Sequence, residues 1–551
     1  MKKALAILLT AAMTLSLTAC SGGSSGSSGS SSQAAQETTK AAVEIHSVSQ
    51  GQEATSAEEK VIDENKKREL IVATDVEPDA FVPWNPDLGQ GNDDNPILTN
   101  LYESAFQATY DGTFVPNLAE SYEVNDDCTE WTIHFRDDVH FSNGDPLTME
   151  DVVFSYDGNA HHKSNRTLWE FYDHTEIIDE HTVKIYCTAP KVTLMRGAFG
   201  NRCGVILNKK YFDEVGMEGY IAKPIGTGPY CVTDIKSHEY IVFEKNPNYW
   251  NKEVDPFYEK ITLKFLSDQN TQMLALENRE IDVLLNAKLP PLLRLPKDTH
   301  ITWDIRQAAG PFTISFNEIN APTDNIYIRK AISCLVNRDA INDVVFDGYS
   351  QPNYIGGQKF YLGYPDESEV TCWPEEYDPE KAKEYLKQGG YNGEPIVLAT
   401  QSGTMMDTIA QVIQGEMLNL GINAEIKALD RASLLDLGKQ VNGYNLLFNN
   451  AAASAMDMSH TKSSYKDSLA KGTNPILILQ NDELDDAYTL AESTSDEEVR
   501  KHAYAKAISI RTEEVRSINV IDNLVITAFY DDIKGVRGCP ITYMTYFKDW
   551  Y

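Results

Sequence analysis

The chain has 551 residues, and its 82 acidic against 48 basic side chains give a formal net charge of −34. An acidic surface of this size excludes nucleic acid as a partner and direct adhesion to anionic lipid. Beyond the N-terminal leader and tether lie about 485 residues, too many for one hydrophobic core, so at least two domains are expected.

Lys2 and Lys3 open the sequence, Ala4 to Leu17 is an almost unbroken apolar run, and Leu17-Thr-Ala-Cys20 closes it. This is the order of a secretory signal over 1–19, and a run of about 14 residues falls short of the roughly 20 that cross a bilayer as a helix. The closing tetrapeptide resembles the bacterial lipoprotein signal, which implies a lipid on Cys20; two or more acyl chains hold a protein firmly, each buried methylene adding ~0.8 kcal/mol. Ser21 to Ser32 is almost pure Ser and Gly, and the stretch to Lys66 has almost no large apolar groups. Such a segment cannot bury enough surface to offset its ordering entropy, so 20–66 reads as a disordered tether.

Past the tether, strands and helices intermingle. Trp131 to Arg136 and Ile261 to Phe265 alternate apolar and polar residues, as half-buried strands do. Between them, Thr148 caps a helix with Asp151 near the positive end of its dipole. Spacings of three and four among Ile328, Ala331, Ile332, Leu335 and Val336 predict a helix from Tyr327 to Phe346. Asp378-Pro379-Glu380 starts another that ends near Gly389-Gly390, and a third runs from Met405 to Leu420, stopping at Gly421. This rhythm predicts an α/β protein with mixed sheets flanked by helices. Gly226 and Gly228 predict a tight turn into the strand at Tyr230, and Ser142 to Asp145 is turn chemistry. Arg329 and the Arg338-Asp339 pair read as structural ion pairs.

Of eight cysteines, Cys20 is assigned to lipid. The remaining seven have no CxxC spacing, so a structural zinc site is not expected. Cys187 with Cys203 is a possible bridge. No GxSxG elbow, no HExxH and no cysteine with an obvious histidine partner is present, so no enzyme and no cofactor are expected. His134, His140 and His161-His162 are the histidines a metal-binding alternative would recruit; adjacent histidines point in different directions on a strand or a helix. The 28 tyrosines suit an aromatic-lined cleft and equally suit core packing.

Seven segments, in order, resemble the large extracytoplasmic solute-binding proteins of peptide/nickel-type ABC importers, solute-binding protein family 5. They are Asn100-Leu-Tyr-Glu-Ser-Ala-Phe106; Asn117 to Tyr122 with Trp131 to Tyr156; Pro224-Ile-Gly-Thr-Gly-Pro-Tyr230; Asn246-Pro-Asn-Tyr-Trp250; Glu280-Ile-Asp282; Phe316-Asn317 with Ile328 to Asp339; and Tyr377 to Ala382. The resemblance implies a two-lobed, periplasmic-binding-protein-like fold of type II, large class, that closes on its ligand by hinge motion. On that reading lobe I covers 68–309 with an extra subdomain at about 105–215, lobe II covers 310–514, and 515–551 returns to lobe I. Gln307, Ala308, Ala309 and Gly310 form the expected hinge, since small residues absorb a backbone change.

The resemblance also implies a function: a monomer held by its lipid on the outer face of a bacterial cell membrane, capturing a peptide or small-molecule solute for an ABC permease. Alternatives in the same fold are a neutral oligosaccharide, a metal chelate, or sensing of a peptide without import. Peptide-binding members fix an α-amino group with an acid in a motif resembling W-G-A-D-Y-x-D-P. The corresponding stretch here is Leu447 to Asp457, where Phe448 offers an aromatic face, Asn449 and Asn450 replace the first acid, and Asp457 matches the second. Where dipeptide binders place an arginine, this chain has Gln401. A neutral amide does not replace a carboxylate against a buried ammonium, so a zwitterionic dipeptide held by its two ends is not expected. Gln401, Phe448, Asn449, Asn450 and Asp457 are the ligand-binding candidates.

Overall fold

Two long strands organise the computed structural model, which describes residues 68–77, 81–85, 95–162, 166–169, 171–200, 202–450, 456–462, 479–538 and 544–551. Cys20, the signal and the tether lie outside these residues. Strand β1 is Glu69–Thr74; β2 Phe106–Ala108, β3 Phe114–Pro116, β4 Ala119–Val124 and β5 Glu130–Phe135 follow. Then come β6 Tyr172–Asp179, β7 Thr182–Cys187, β8 Tyr230–Lys236, β9 Tyr240–Lys245, β10 Lys260–Phe265 and β11 Val283–Leu284. The second half holds β12 Ile301–Phe316, β13 Ile396–Gln401, β14 Ala424–Leu429, β15 Leu446–Asn450 and β16 Ser517–Tyr530.

Ten of these strands form one mixed sheet in the order β14-β13-β15-β12-β16-β11-β1-β10-β9-β8. The long antiparallel pair β12 and β16 runs through its middle and serves two cores. Ile301 and Ile305 of β12 join Ile526 and Ala528 of β16 in the lobe I core, whereas Phe312 and Ile314 join Ile518 and Val520 in the lobe II core. Between the halves the pairing shifts: Gln307 faces Leu524, but Pro311 already faces Asp522. The extra residues on β12 are a bulge, which bends a strand locally. Its chemistry is suited to that, because Pro311 has no N–H for the ladder and Gly310 has φ 112°, a value that favours glycine. These two strands join the lobes.

A separate antiparallel sheet, β4-β5-β7-β6, and the β2-β3 pair surround a further core, here called the subdomain, with Trp131, Tyr156, Trp169 and Phe199 in it. Its first helix, Met149–Ala160, begins with the expected capping box between Thr148 and Asp151. Strands β5 and β10 alternate as the sequence predicts. The helix predicted over 327–346 is instead two, Ile326–Ser333 and Arg338–Phe346. Asn337 ends the run: its side chain accepts the N–H of Ala340 and so starts a new helix. The apolar stripe is buried all the same. Helices Pro379–Gly389 and Met405–Asn419 begin and end near their predicted caps.

Gly226 and Gly228 matter for proximity more than for a turn. Neither has positive φ, and a Cβ on either would clash with the carbonyl oxygens of Leu101 or Asn100. Gly228 N–H donates to Leu101 O at 2.9 Å. Two of the shared sequence segments therefore touch each other in space. Arg329 and Arg338 are also not ion pairs: Arg329 donates to Glu514 O and Thr323 O (2.8 and 2.9 Å), and Arg338 to Asn519 O (2.9 and 3.2 Å). Each guanidinium ties a helix to backbone carbonyls on or beside β16, which a long planar fork of donors does well.

Candidate functional site

Gln307, at the start of the bulge, and Asp522, opposite its end, border a cavity of about 370 Å³. Tyr110 and Asp111, at the edge of the subdomain, form one wall; Gln351 to Ile355, Gly357 to Phe360, Tyr364 and Trp373 of lobe II form the others. The walls touch at the rim. Gly112, with φ +85°, lies so close to Phe360 that a Cβ there would overlap the ring. The volume falls within the range of small-ligand sites, and the lining is aromatic with a few placed polar groups, as such sites usually are.

Asp522 is the most unusual group in it, a carboxylate only 3% exposed and the single acid of strand β16. The segment 350–358 runs alongside: Asp522 N–H donates to Gln351 O at 2.9 Å, Asn353 N–H to Val520 O at 3.2 Å, and Ser350 Oγ to Asp522 O at 2.6 Å. That places two amides against the side chain. Asn353 Nδ2 and Gln358 Nε2 both donate to Asp522 Oδ1, at 2.7 and 2.6 Å. Burial pushes this carboxyl up to about 6, against the pull of those two hydrogen bonds. Tyr354, on the cavity wall, is backed by the Arg338 guanidinium 4.6 Å from its ring centre. The sequence carries one signal for it, a single acid in a strand-like run rich in Val and Ile.

The predicted ligand residues separate by face. In the parallel β13–β15 pairing Leu398 faces Leu446 and Ala399 faces Leu447. Alternation then puts Gln401 and Asn449 on one face of the sheet and Phe448 on the other. Phe448 is 2% exposed and belongs to the lobe II core with Leu398 and Ile413, so it offers no ring to a ligand. Asn449 is half-buried and Asn450 exposed, paired with Thr313 and Phe312 just past the bulge. Gln401 is half-buried at the end of β13, and its carbonyl accepts Thr404 Oγ1 at 2.7 Å. Asp457 is fully buried, accepting Arg500 Nη2 at 2.5 Å, Tyr504 Oη at 3.3 Å and Ser459 N–H at 2.8 Å.

A second cavity, of about 570 Å³, also draws on both lobes, with Asn286, Lys288 and Arg294 on one side and Gly403 to Met405 on the other. Its lining residues Gly403 and Thr404 follow Gln401 closely in the chain. Asn286 Nδ2 donates to Asp75 Oδ1 at 3.1 Å, so the ends of β1 and β11 are tied together at its edge. In open α/β sheets ligands gather outside the carboxyl ends of strands, and both β13 and β11 end here.

Among the described residues no three His, Cys, Asp or Glu converge as metal ligands. His134 contacts Thr182, while His140 and His161 turn back to the carbonyls of Asp138 and Asp157. Cys187 is an unbridged thiol, so it forms no disulfide with Cys203.

Residues 113–472 match the bacterial extracellular solute-binding proteins, family 5 (middle region). The chain belongs to that family. Relatives in family 5 include the nickel-binding periplasmic protein of Escherichia coli K12, 26% identical over 61% of this chain and 67% of that protein. The di/tripeptide-binding protein 2 of Pseudomonas aeruginosa is 25% identical over 86% of this chain and 93% of its own length. Among solved structures, the substrate-binding protein CtaP of Listeria monocytogenes superposes with a TM-score of 0.75 at 20% identity, covering 88% of this chain and 99% of that one. DppA of Helicobacter pylori in complex with the peptide STSA gives 0.72 at 23% identity over 88% and 98%. At these identities the structures establish the shared fold: a two-lobed α/β binding protein.

Proposed function

We propose that this family 5 protein is the lipid-anchored receptor of an ABC importer, which takes a peptide-like solute into the cavity beside the β12 bulge and presents it to the permease. The observation that carries this reading is that one small, aromatic-lined cavity draws its walls from both lobes and the subdomain, directly at the strands that join the lobes. A solute seated there touches every part that would move, so binding and lobe closure share one free energy. The bulge at Gln307–Gly310 is the hinge. Relatives named for di- and tripeptides favour a peptide-like solute, and the lining of rings, amides and backbone fits one. Cys20 supplies the anchor, outside the described residues.

The test is a thermal-shift and calorimetry panel of short peptides, neutral oligosaccharides and nickel chelates on the full chain. A ligand that binds only the folded state raises the melting temperature, by RT ln(1 + [L]/Kd) in free energy. Short peptides are expected to produce the shift. A shift with an oligosaccharide or a nickel chelate and none with peptides overturns the reading.

A further inference from the structure

We propose that Asp522 is the solute's anchor and that it holds a protonated amine. This rests on the receptor reading above and narrows its ligand. Three observations support it. First, Asp522 is almost wholly buried yet borders the cavity. Second, its two neutral donors, Asn353 and Gln358, converge on Oδ1, leaving Oδ2 with no recorded hydrogen bond among the described residues. Third, no Lys, Arg or His among the described residues forms an ion pair with it. The cations bordering the cavity are engaged elsewhere: Arg306 Nε donates to Asp304 Oδ2 at 2.9 Å, and Lys359 lies 3.6 Å from Glu367.

A buried carboxylate without a counter-charge is costly, and structures retain one where a cation completes it. The surroundings select the kind of cation. Tyr110, Tyr354, Phe360, Tyr364 and Trp373 border the same space, and aromatic faces attract ammonium groups. A carboxylate flanked by rings, with amides already fixing its other oxygen, accepts a compact donor with apolar neighbours. A primary ammonium on a peptide-sized solute has that chemistry. A solute carboxylate facing the same group would be repelled.

The experiment is calorimetry on the full chain with three probes: Ala-Phe-Ala, its N-acetylated form, and putrescine. Free Ala-Phe-Ala is expected to bind and its acetylated form to bind roughly 10- to 100-fold more weakly, the range for a hydrogen bond to a charged group. Asp522→Asn is expected to weaken Ala-Phe-Ala by a similar factor and to close most of the gap between the free and the acetylated peptide. Putrescine binding that is lost in the same variant supports the amine anchor and points to a polyamine in place of a peptide terminus. The acetylation arm needs no mutation, so it decides even if the variant folds poorly. Equal binding of free and acetylated peptide overturns the anchor while the peptide receptor stands. In the wider ligand panel above, a shift with an oligosaccharide or a nickel chelate and none with peptides overturns both.

Discussion

Arg500 Nη2 lies 2.5 Å from Asp457 Oδ2, and neither side chain is exposed at all. The pair joins the helix Glu497–Glu513 to the segment that follows the fifteenth strand, and Arg500 also donates to Ala491 O at 2.8 Å.

Removing one partner of such a pair leaves the other buried and uncompensated. Arg500→Ala and Asp457→Ala are each expected to cost about 3–5 kcal/mol of stability, read by chemical denaturation. Solute affinity of the fraction that folds is expected to stay within a few-fold of the parent, because Asp457 spends its hydrogen bonds on the protein. A selective loss of binding with stability intact would restore Asp457 as a ligand group.

The buried carboxyl of Asp522 makes stability depend on pH. Its folded value, pushed up to about 6, lies above the ~3.9 of an unfolded aspartate. The folded chain therefore binds the extra proton between those values, and the group's contribution to stability is present below about 4 and lost as the pH rises through about 6. The phenols of Tyr361 and Tyr364 are titratable neighbours: burial raises both first, followed by the Asp522 charge at Tyr361 and by Glu367, ahead of Asp522, at Tyr364. Asp522→Asn is expected to be more stable than the parent at pH 7.5, by on the order of 2–3 kcal/mol, and level with it near pH 4. Denaturant titrations at the two pH values measure this; a variant less stable at pH 7.5 contradicts it.

Gly310 holds φ 112° inside the bulge, a region that side chains occupy only under strain. Gly310→Ala is expected to cost about 1–3 kcal/mol and to resist the change of curvature that lobe closure needs. Small-angle scattering with and without bound solute reads the second effect. Unchanged compaction in the variant would place the hinge elsewhere.

Cys20 is the proposed anchor. Cys20→Ala is expected to abolish incorporation of labelled palmitate and to move the protein from the membrane fraction to the soluble one. A variant that stays with membranes would show that something other than lipid holds it.

Local chemistry was legible in the sequence wherever a short segment decides its own conformation. The Thr148–Asp151 capping box, the Asp378-Pro379 helix start and the alternation of the fifth and tenth strands all rest on residues within one turn or one pleat of each other. Asn337 shows the limit of periodicity: the apolar stripe ran straight through a helix break that a capping residue had marked. The roles of Arg329 and Arg338 are not readable locally, because their acceptors, Glu514 O and Asn519 O, lie 185 and 181 residues away. Phe448 reads as an aromatic face for a ligand in the sequence, yet strand alternation hides it in a core. Asp522 stands out in its run as a lone acid, but its meeting with Asn353, 169 residues earlier, is not readable there.

The strand order has a consequence for how the chain is made. The sixteenth strand comes late in the sequence but sits in the interior of the ten-stranded sheet, between the twelfth and the eleventh. A ribosome delivers it after nearly everything it must pair with. Until Tyr530 is available, Val283 and Leu284 lack their antiparallel neighbour and the whole length of the twelfth strand has one open side. Neither lobe completes its sheet on the growing chain, so the polypeptide stays short of its native structure for most of its synthesis. Cutting it before Ser517 would remove the seam of the molecule, and the remaining halves would expose open strand edges prone to pairing with other chains.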